Sequence, residues 1–574
     1  MILVTGTLGQ LRVGAVLLAE AAWLTLVGFL LLRRRPRSEL RFRRAGGWRP
    51  SRGMWARVRH LELWPAFVVA LAFVALTWQA VVALVLPPYA FDALTYHLTI
   101  AASWLQQGDL EPTTLSLCCA YYPANAELLF TWPMLLLGND TLVDTVQIGC
   151  AALGALSVAG IARTARLGSA AASAAAGLFA LTPIVLTQAP TNYADLMLAS
   201  FALAGIHSIL RFQVTADPRR LVLAGLAAGL LLGTKGTGVI WGVVLVATAL
   251  TLLVFAQRRR RIGRRAAVVA AAALVAACVA LGSFWYIRNW VDLGNPAYPF
   301  SVEIAGIELF DGPIEVQEIL TTPDPSRELS APEAVIRSWA SDLDFWNQGS
   351  YDYQQRLGGL GPLWPWLGLP LIVILAVPLV RRRSLLTVAL AAGAIVFVLQ
   401  PYRWWSRFTI DLAALGAIAI AIAAVHAPRR WLRRGVAGAA LVLALAGAAL
   451  SSYEVDPAGG AEPLAATEVI RLAAEPAEQR SVGHLFFPEY RFLENVPADA
   501  TIVVDLEAPQ VRFVYPLFGA SLDRSVVRAT GAGVPEGAWL VTGAGRDLDR
   551  AARASGRFTL VSGVGGLHAW RPRR

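Results

Sequence analysis

Apolar runs recur along this chain at lengths that ordinary core helices do not need. LAFVALTWQAVVALVLP, AAVVAAAALVAACVALGSFW and LLTVALAAGAIVFVLQ are three of them. A helix of about 20 such residues matches the roughly 30 Å hydrocarbon thickness of a bilayer. Only 16% of the 574 residues are charged and 56% are hydrophobic, where a soluble domain is about a quarter charged. The pattern predicts a polytopic membrane protein, all-α in its spans.

Charge then orients the spans. The net charge of +11 would suggest nucleic acid in a soluble chain, but the arginines cluster in short connections between apolar blocks. RRRPRSELRFRR, RRRRIGRR at 258–265, RRR at 381–383 and RRWLRR at 429–434 read as anchors at cytoplasmic headgroups, and no nucleic-acid partner is expected. About twelve spans are expected, at 11–31, 62–87, 141–162, 168–188, 194–212, 220–234, 237–256, 265–287, 362–380, 385–400, 408–427 and 434–451. With Met1 outside, every basic cluster falls inside. The first apolar run carries its charge after it rather than before it, so it reads as a retained span and not a cleaved signal peptide.

Three large pieces then face the other side, at 88–140, 288–361 and 452–574. The half-apolar stretch at 124–138 is placed as a helix lying on or dipping into that surface. From about 455 the texture changes: ATIVVDLE, SLDRSVVRAT, GAWLVTGAG and RFTLVSG are short strand patterns, predicting a small α/β extracytoplasmic domain. The organisation is therefore an extra N-terminal span and basic loop (1–61), a transmembrane core (62–454) and a soluble α/β domain (455–574). Asp505 and Glu507 follow a strand, where surface carboxylates are common. Cys150 and Cys278 read as packing residues. Cys118 and Cys119 are adjacent, without metal-ligand spacing or a disulfide framework.

Polar groups at span ends are the informative ones, because burying them in lipid is costly. Asp92 lies just beyond a long apolar span, and Tyr96, His97 and Trp104 follow along a surface helix. An acid, an imidazole and aromatics make a sugar-binding rim; equally, Asp92 is a good helix N-cap. Tyr121, Tyr122, Asn125 and Glu127 open the next apolar stretch, and Asp195 begins a span, where capping competes with function. Lys235, between glycines on the non-basic side, reads as a phosphate or carboxylate partner. Arg288 and Asn289 end a span. Arg403 and Arg407, four apart, share a helical face if a helix begins there. These outward arginines break the charge rule and point to a bound anion. A sugar linked through phosphate to a lipid suits such a site: cations stabilise the leaving phosphate and a carboxylate serves as general base for the acceptor hydroxyl.

FDALTYHL with the ensuing WLQQG, then YYPANAE, PTNYADL, GTKGTG, YIRNWVDLGNPAYPF, GGLGPLW and YRWWSRF occur in this order. The ordered set resembles the GT-C superfamily of membrane glycosyltransferases, notably bacterial relatives of protein O-mannosyltransferases and the enzymes that add aminoarabinose to lipid A. The resemblance implies a GT-C-like core and an inverting glycosyltransferase. It would move a sugar from a polyprenyl-phosphate donor to an envelope glycan, glycolipid or protein acceptor, in the bacterial cytoplasmic membrane with its site outside. It implies Asp92 as catalytic base; Lys235, Arg288, Arg403 and Arg407 as donor-phosphate ligands; and Tyr96, His97, Tyr122, Glu127 and Asp195 in the sugar or acceptor pocket. The loop at 301–360 would fold over the site, where Asp342 and Asp344 are also open to reading as plain surface. No metal or other cofactor is expected. Two features depart from the family: the adjacent acid some relatives carry beside the base is missing at Asp92, and the span at 11–31 is an addition before the core. A transporter and a non-sugar envelope transferase are the alternative readings.

Overall fold

The computed structural model describes residues 1–33, 63–116, 119–304, 306–315, 329–347, 349–530 and 533–573. The expected basic loop before residue 62 and Cys118 lie outside them.

Helices dominate up to residue 450, and they sit on the apolar runs. The chain opens with a short helix α1 (Ile2–Thr7) and a long one, α2 (Val13–Arg33). After α3 (Leu63–Val85) comes a single wide turn, Ala93–His97, which runs into α4 (Leu98–Gln107). The half-apolar stretch forms α5 (Asn125–Leu137), and Gly138, at φ 66°, stops it with a left-handed cap. Next come α6 (Val146–Thr164), α7 (Ser169–Ala180) and α8 (Pro183–Gln188). The sequence reading merged the last two. Pro183 has no N–H to continue the ladder, so the helix breaks before it and restarts.

The centre of the bundle is α9 (Asp195–Thr215), 72% buried where the other long apolar helices are buried over 11–44% of their length. Around it run α10 (Arg219–Thr234), α11 (Gly238–Arg258) and α12 (Arg264–Gly282), followed by α13 (Phe284–Leu293). Beyond the outer loop, with its helix α14 (Ala331–Ser341), lie α15 (Leu369–Arg381), α16 (Leu386–Leu399), α17 (Ile410–His426) and α18 (Arg430–Leu450). Seven helical stretches among the described residues are long and apolar enough to cross a membrane, and four shorter apolar helices accompany them.

Lipid offers helices no hydrophobic reason to associate, so close backbone packing must hold them together. On α10, Gly225, Gly229 and Gly233 recur every four residues along one face. A Cβ at Gly225 would stand 2.2 Å from the Leu274 carbonyl oxygen of α12, and one at Gly229 would stand 2.4 Å from that of Cys278.

After residue 453 strands appear. With the outer-loop strands β1 (Phe300–Ile304) and β2 (Ile307–Phe310) numbered first, this part contains β3 (Thr501–Val504), β4 (Ser525–Arg528), β5 (Trp539–Gly543), β6 (Phe558–Ser562) and β7 (Leu567–Pro572). They form one sheet in the order β4-β3-β5-β7-β6, parallel across the first three and antiparallel beyond. This part is pinned to the loop after α3. The Gln106 side chain bonds both backbone groups of Val526, at 2.9 and 3.1 Å. The Tyr515 hydroxyl donates to Asp140 at 3.0 Å, Ala458 N–H donates to the Tyr89 carbonyl at 2.9 Å, and the Phe513 ring meets Phe91 edge-on. Asp505 accepts a bond from Thr542 at 2.9 Å, a strand-end contact inside the sheet, while Glu507 is exposed. Cys119 is held in a disulfide, contrary to the reading from spacing, whereas Cys150 and Cys278 are free and buried.

Replacing Gly229 with Val should lower the thermal midpoint of the detergent-solubilised protein by an amount corresponding to roughly 1–3 kcal/mol. Gly263→Ala, at a site with no neighbour within 4 Å, should leave it within a degree or so. Equal midpoints for the two variants would mean that α10 and α12 are not held by this contact.

Candidate active site

The residues flagged at the outer ends of the helices converge. Asp92 sits at the entrance to the wide turn before α4, Asp195 starts α9, Lys235 follows the end of α10, and Arg407 lies in a tight turn before α17. The Arg407 guanidinium donates to Asp92 Oδ2 at 2.9 Å, and its Nε faces Asp195 Oδ2 at 3.8 Å. Lys235 Nζ donates to Asp195 Oδ1 at 2.8 Å. The four charges thus alternate in one line, Asp92, Arg407, Asp195, Lys235. All are largely shielded, with side-chain exposures of 14, 9, 1 and 15%. Neither acid caps a helix: no side-chain cap bond forms at Asp92 or at the start of α9.

Aromatic rings wall the line. The Arg407 guanidinium lies 4.2 Å from the Trp405 ring centre, 4.8 Å from Phe408 and 5.1 Å from Tyr193. Lys235 lies 5.1 Å from Phe408. Such faces attract cations and exclude water. The Asp92 backbone is held as firmly as its side chain: its N–H donates to the Tyr193 hydroxyl at 3.3 Å, and the Phe91 N–H donates to the Tyr353 hydroxyl at 3.2 Å. Tyr193 in turn donates to Gln354, at 3.1 Å, so the outer loop after α14 closes over the same residues. Within that loop Asp342 is fully buried, accepting from the Tyr351 hydroxyl and the Gly359 N–H, and burial pushes its carboxyl up to about 7. Asp344 bonds Asn347 at the surface.

Burial by itself raises the Asp92 carboxyl. The charges of Arg407, Lys235 and His97, together with the Arg407 hydrogen bond, outweigh it and hold Asp92 below the usual carboxylate value. Arg407 loses hydration in the same place, but Asp92 and Asp195 keep it firmly protonated. The result is an ionised carboxylate beside two cations in a dry pocket.

Other flagged residues stand next to this line or apart from it. Tyr96 reaches Asp92 Oδ2 with its hydroxyl at 3.5 Å. His97 Nδ1 and Glu127 Oε1 form a buried pair at 2.6 Å, with the Tyr96 and His97 ring centres 4.1 Å apart. Tyr122 stacks on Phe300 from the outer loop. Arg288 lies over Trp285 and Tyr121 and bonds the Ala120 carbonyl, touching none of the four aligned charges. Arg403 and Arg407 do not share a helical face. Pro401 and Tyr402, at φ 52°, turn the chain, α17 begins only at Ile410, and Arg403 swings away to the Val398 carbonyl. Trp104 belongs to no rim; it is fully buried and stacks on Trp285. Tyr193, Tyr353, Gln354 and Phe408 were not singled out, although Tyr193 lies inside PTNYADL and Phe408 inside YRWWSRF; Trp405, in the same motif, reads in sequence as a residue of the interface belt. Among the described residues no three His, Cys, Asp or Glu side chains converge as a metal-ligand set.

The comparisons with known proteins bear on the fold. The family model described as dolichyl-phosphate-mannose-protein mannosyltransferase matches residues 127–285. The chain has the fold of the GT-C membrane glycosyltransferases, as the resemblance in sequence implied. In particular it is similar to ArnT from Cupriavidus metallidurans. The crystal structure bound to undecaprenyl phosphate aligns over 91% of this chain and 98% of ArnT, at 14% identity and a TM-score of 0.54. The apo structure aligns over 88% and 97%, at 15% identity and a TM-score of 0.52. No curated protein matches the chain in sequence.

Removing one member of an alternating line leaves a neighbour buried and uncompensated, at about 3–5 kcal/mol. Asp195→Asn and Lys235→Met should each destabilise the protein. The double variant should be less destabilised than the two singles combined, with a coupling of about 1–3 kcal/mol in a thermal double-mutant cycle. Simple additivity would show that the two side chains do not act as a pair.

Proposed function

We propose that this chain is an inverting glycosyltransferase that moves a sugar from a polyprenyl-phosphate donor to an extracytoplasmic envelope acceptor. The observation that carries this reading is the line of four: a carboxylate kept ionised by Arg407, with Lys235 anchored one step further along, walled by aromatic rings. The fold likeness to ArnT, crystallised with undecaprenyl phosphate, supports a lipid phosphate as the donor's leaving group.

In this reading Asp92 takes the proton from the acceptor hydroxyl. The hydroxyl oxygen attacks the anomeric carbon from the face opposite the phosphate, the carbon–oxygen bond to phosphate breaks, and the configuration inverts. Polyprenyl phosphate leaves with the bonding electrons, and its growing charge is met by Lys235 and Arg407. Asp195 positions both cations. Tyr96, Tyr122 and the His97–Glu127 pair shape the sugar or acceptor pocket. Arg288 approaches the lipid phosphate from the side of Tyr121, and Arg403 drops out because its guanidinium is engaged by Val398. Orientation follows from charge: Lys235 and the run beginning at Arg258 stand at opposite ends of α11, so the basic end faces the cytoplasm and the site faces out. That is the side where a lipid-linked sugar, rather than a sugar nucleotide, is the available donor.

Turnover of radiolabelled donor by proteoliposomes tests the assignment. Asp92→Asn should lose at least about a hundredfold in kcat, the lower end of what general-base catalysis contributes, while still binding undecaprenyl phosphate. A depressed base leaves its ionised form active until the pH falls below the ordinary carboxylate range near 4. The acid limb of kcat/KM should therefore lie below that range in the native enzyme and move upward in Arg407→Gln. Full turnover by Asp92→Asn, or an acid limb unmoved by Arg407→Gln, would remove Asp92 from the role of base.

A further inference from the structure

The N-terminal helices do more than precede the core. Helix α1 and the start of α2 are packed in, with Ile2 of α1, Leu11 of the connection and Val16 of α2 buried in a cluster with Ile100, Trp104 and Trp285. The rest of α2 stands off, leaving Leu17, Leu18, Trp23 and Leu24 exposed. It is tied back to α5 by one polar contact, Trp132 Nε1 donating to Glu20 Oε1 at 2.8 Å. Between this pair and α5, α9, α10 and α12 runs an open groove with about 760 Å³ of empty space, walled by Leu3, Leu128, Leu129, Phe201, Leu230 and Leu281.

Asn125 links the groove to the end of α10. It lines the groove and packs so tightly on Gly233 that a Cβ there would stand 2.2 Å from the Asn125 amide nitrogen; Lys235 is two residues further on. Asn125 Oδ1 also accepts from Trp285 Nε1 at 2.9 Å, and the Arg288 guanidinium lies 5.0 Å over that same indole. Arg288 Nη1 is buried without a hydrogen-bond partner among the described residues, a vacancy that an anion would fill. Counted along the helices at about 1.5 Å per residue, Leu230 lies roughly 8 Å inward from Lys235 and Phe201 roughly 9 Å inward from Asp195. A phosphate held by Arg288 at this end of the helices would therefore have its hydrocarbon leaving the headgroup beside Asn125, which lines the groove.

We propose that the groove between the N-terminal helix pair and the bundle holds the first isoprene units of the lipid-phosphate donor, so that α1 and α2 form one wall of the donor site. This rests on the lipid-phosphate reading above. The occupant is an isoprenoid because cationic side chains at one end and an apolar channel beyond match a single-chain lipid phosphate.

The test uses the full-length protein in nanodiscs, with binding measured for undecaprenyl phosphate and for methyl phosphate, which shares the phosphomonoester headgroup but has no isoprene unit. Leu129→Trp and Leu3→Trp narrow the groove from opposite walls and leave the charged line intact. Each should weaken undecaprenyl phosphate by about tenfold and leave methyl phosphate within about twofold, with unchanged thermal midpoints. Equal effects on both probes, or none on either, would overturn the groove while leaving the donor reading standing. So would cross-linking of a photoreactive phospholipid from position 129 that added undecaprenyl phosphate does not displace. Failure of the unsubstituted protein to bind either phosphate would overturn the lipid-phosphate reading itself, and the groove with it.

Discussion

Everything at the outer face depends on how four buried charges compensate one another. Asp92, Arg407, Asp195 and Lys235 come from four separate stretches of chain, and none is tolerable alone in so dry a place. The alternation fixes where α9, α10 and the turn before α17 stand relative to the loop after α3. It also sets the chemistry. A carboxylate among apolar neighbours would rest protonated; Asp92, gripped by a guanidinium, rests ionised. Structural necessity and chemical readiness are thus met by the same contacts. The aromatic rings of Tyr193, Trp405 and Phe408 keep those contacts strong by excluding water.

The bundle beneath supplies rigidity by a different means. Where the aqueous face uses charge, the hydrocarbon-facing part uses close approach of backbones, with α10 laid against α12 through glycines spaced four apart. Lys235 is the first residue beyond that tightly packed helix, so its position is set by steric fit rather than by its own flexible side chain. The most enclosed helix, α9, begins with Asp195. Two of the four charges therefore stand at the ends of the most enclosed and the most closely packed helices, and the other two are brought to them by loops.

Much of the bundle was legible in the sequence because lipid imposes a simple rule: a run must be apolar and long. The helix ends fall within a few residues of the apolar boundaries at most spans; the breaks at Pro183 and at Ser283, inside the span expected at 265–287, are exceptions, since a single proline or serine inside an apolar run barely alters hydropathy. Asp92, Asp195, Lys235 and Arg407 were each visible as polar groups at span ends, and their order matched a known pattern. Their pairing was not visible, because it depends on how loops hundreds of residues apart turn. Arg403 and Arg407 show the limit most clearly. A spacing of four implies a shared face only on a helix, and the positive φ at Tyr402 sends the two side chains in opposite directions. Trp104 misled for a related reason: an aromatic in an outer loop looks the same in sequence whether it faces a sugar or another indole.

The contacts between the loop after α3 and the strands beyond residue 500 bear on how the protein comes to be made. Gln106 bonds Val526, 420 positions further along the chain, and Phe91, the neighbour of Asp92, rests on Phe513. The ribosome delivers the first of these partners long before the second. Throughout most of translation, then, the carboxylate-bearing loop stands without its brace. Maturation of the pocket must wait until the last hundred residues have folded against it. Docking of the C-terminal part is thereby built in as the final step of assembly.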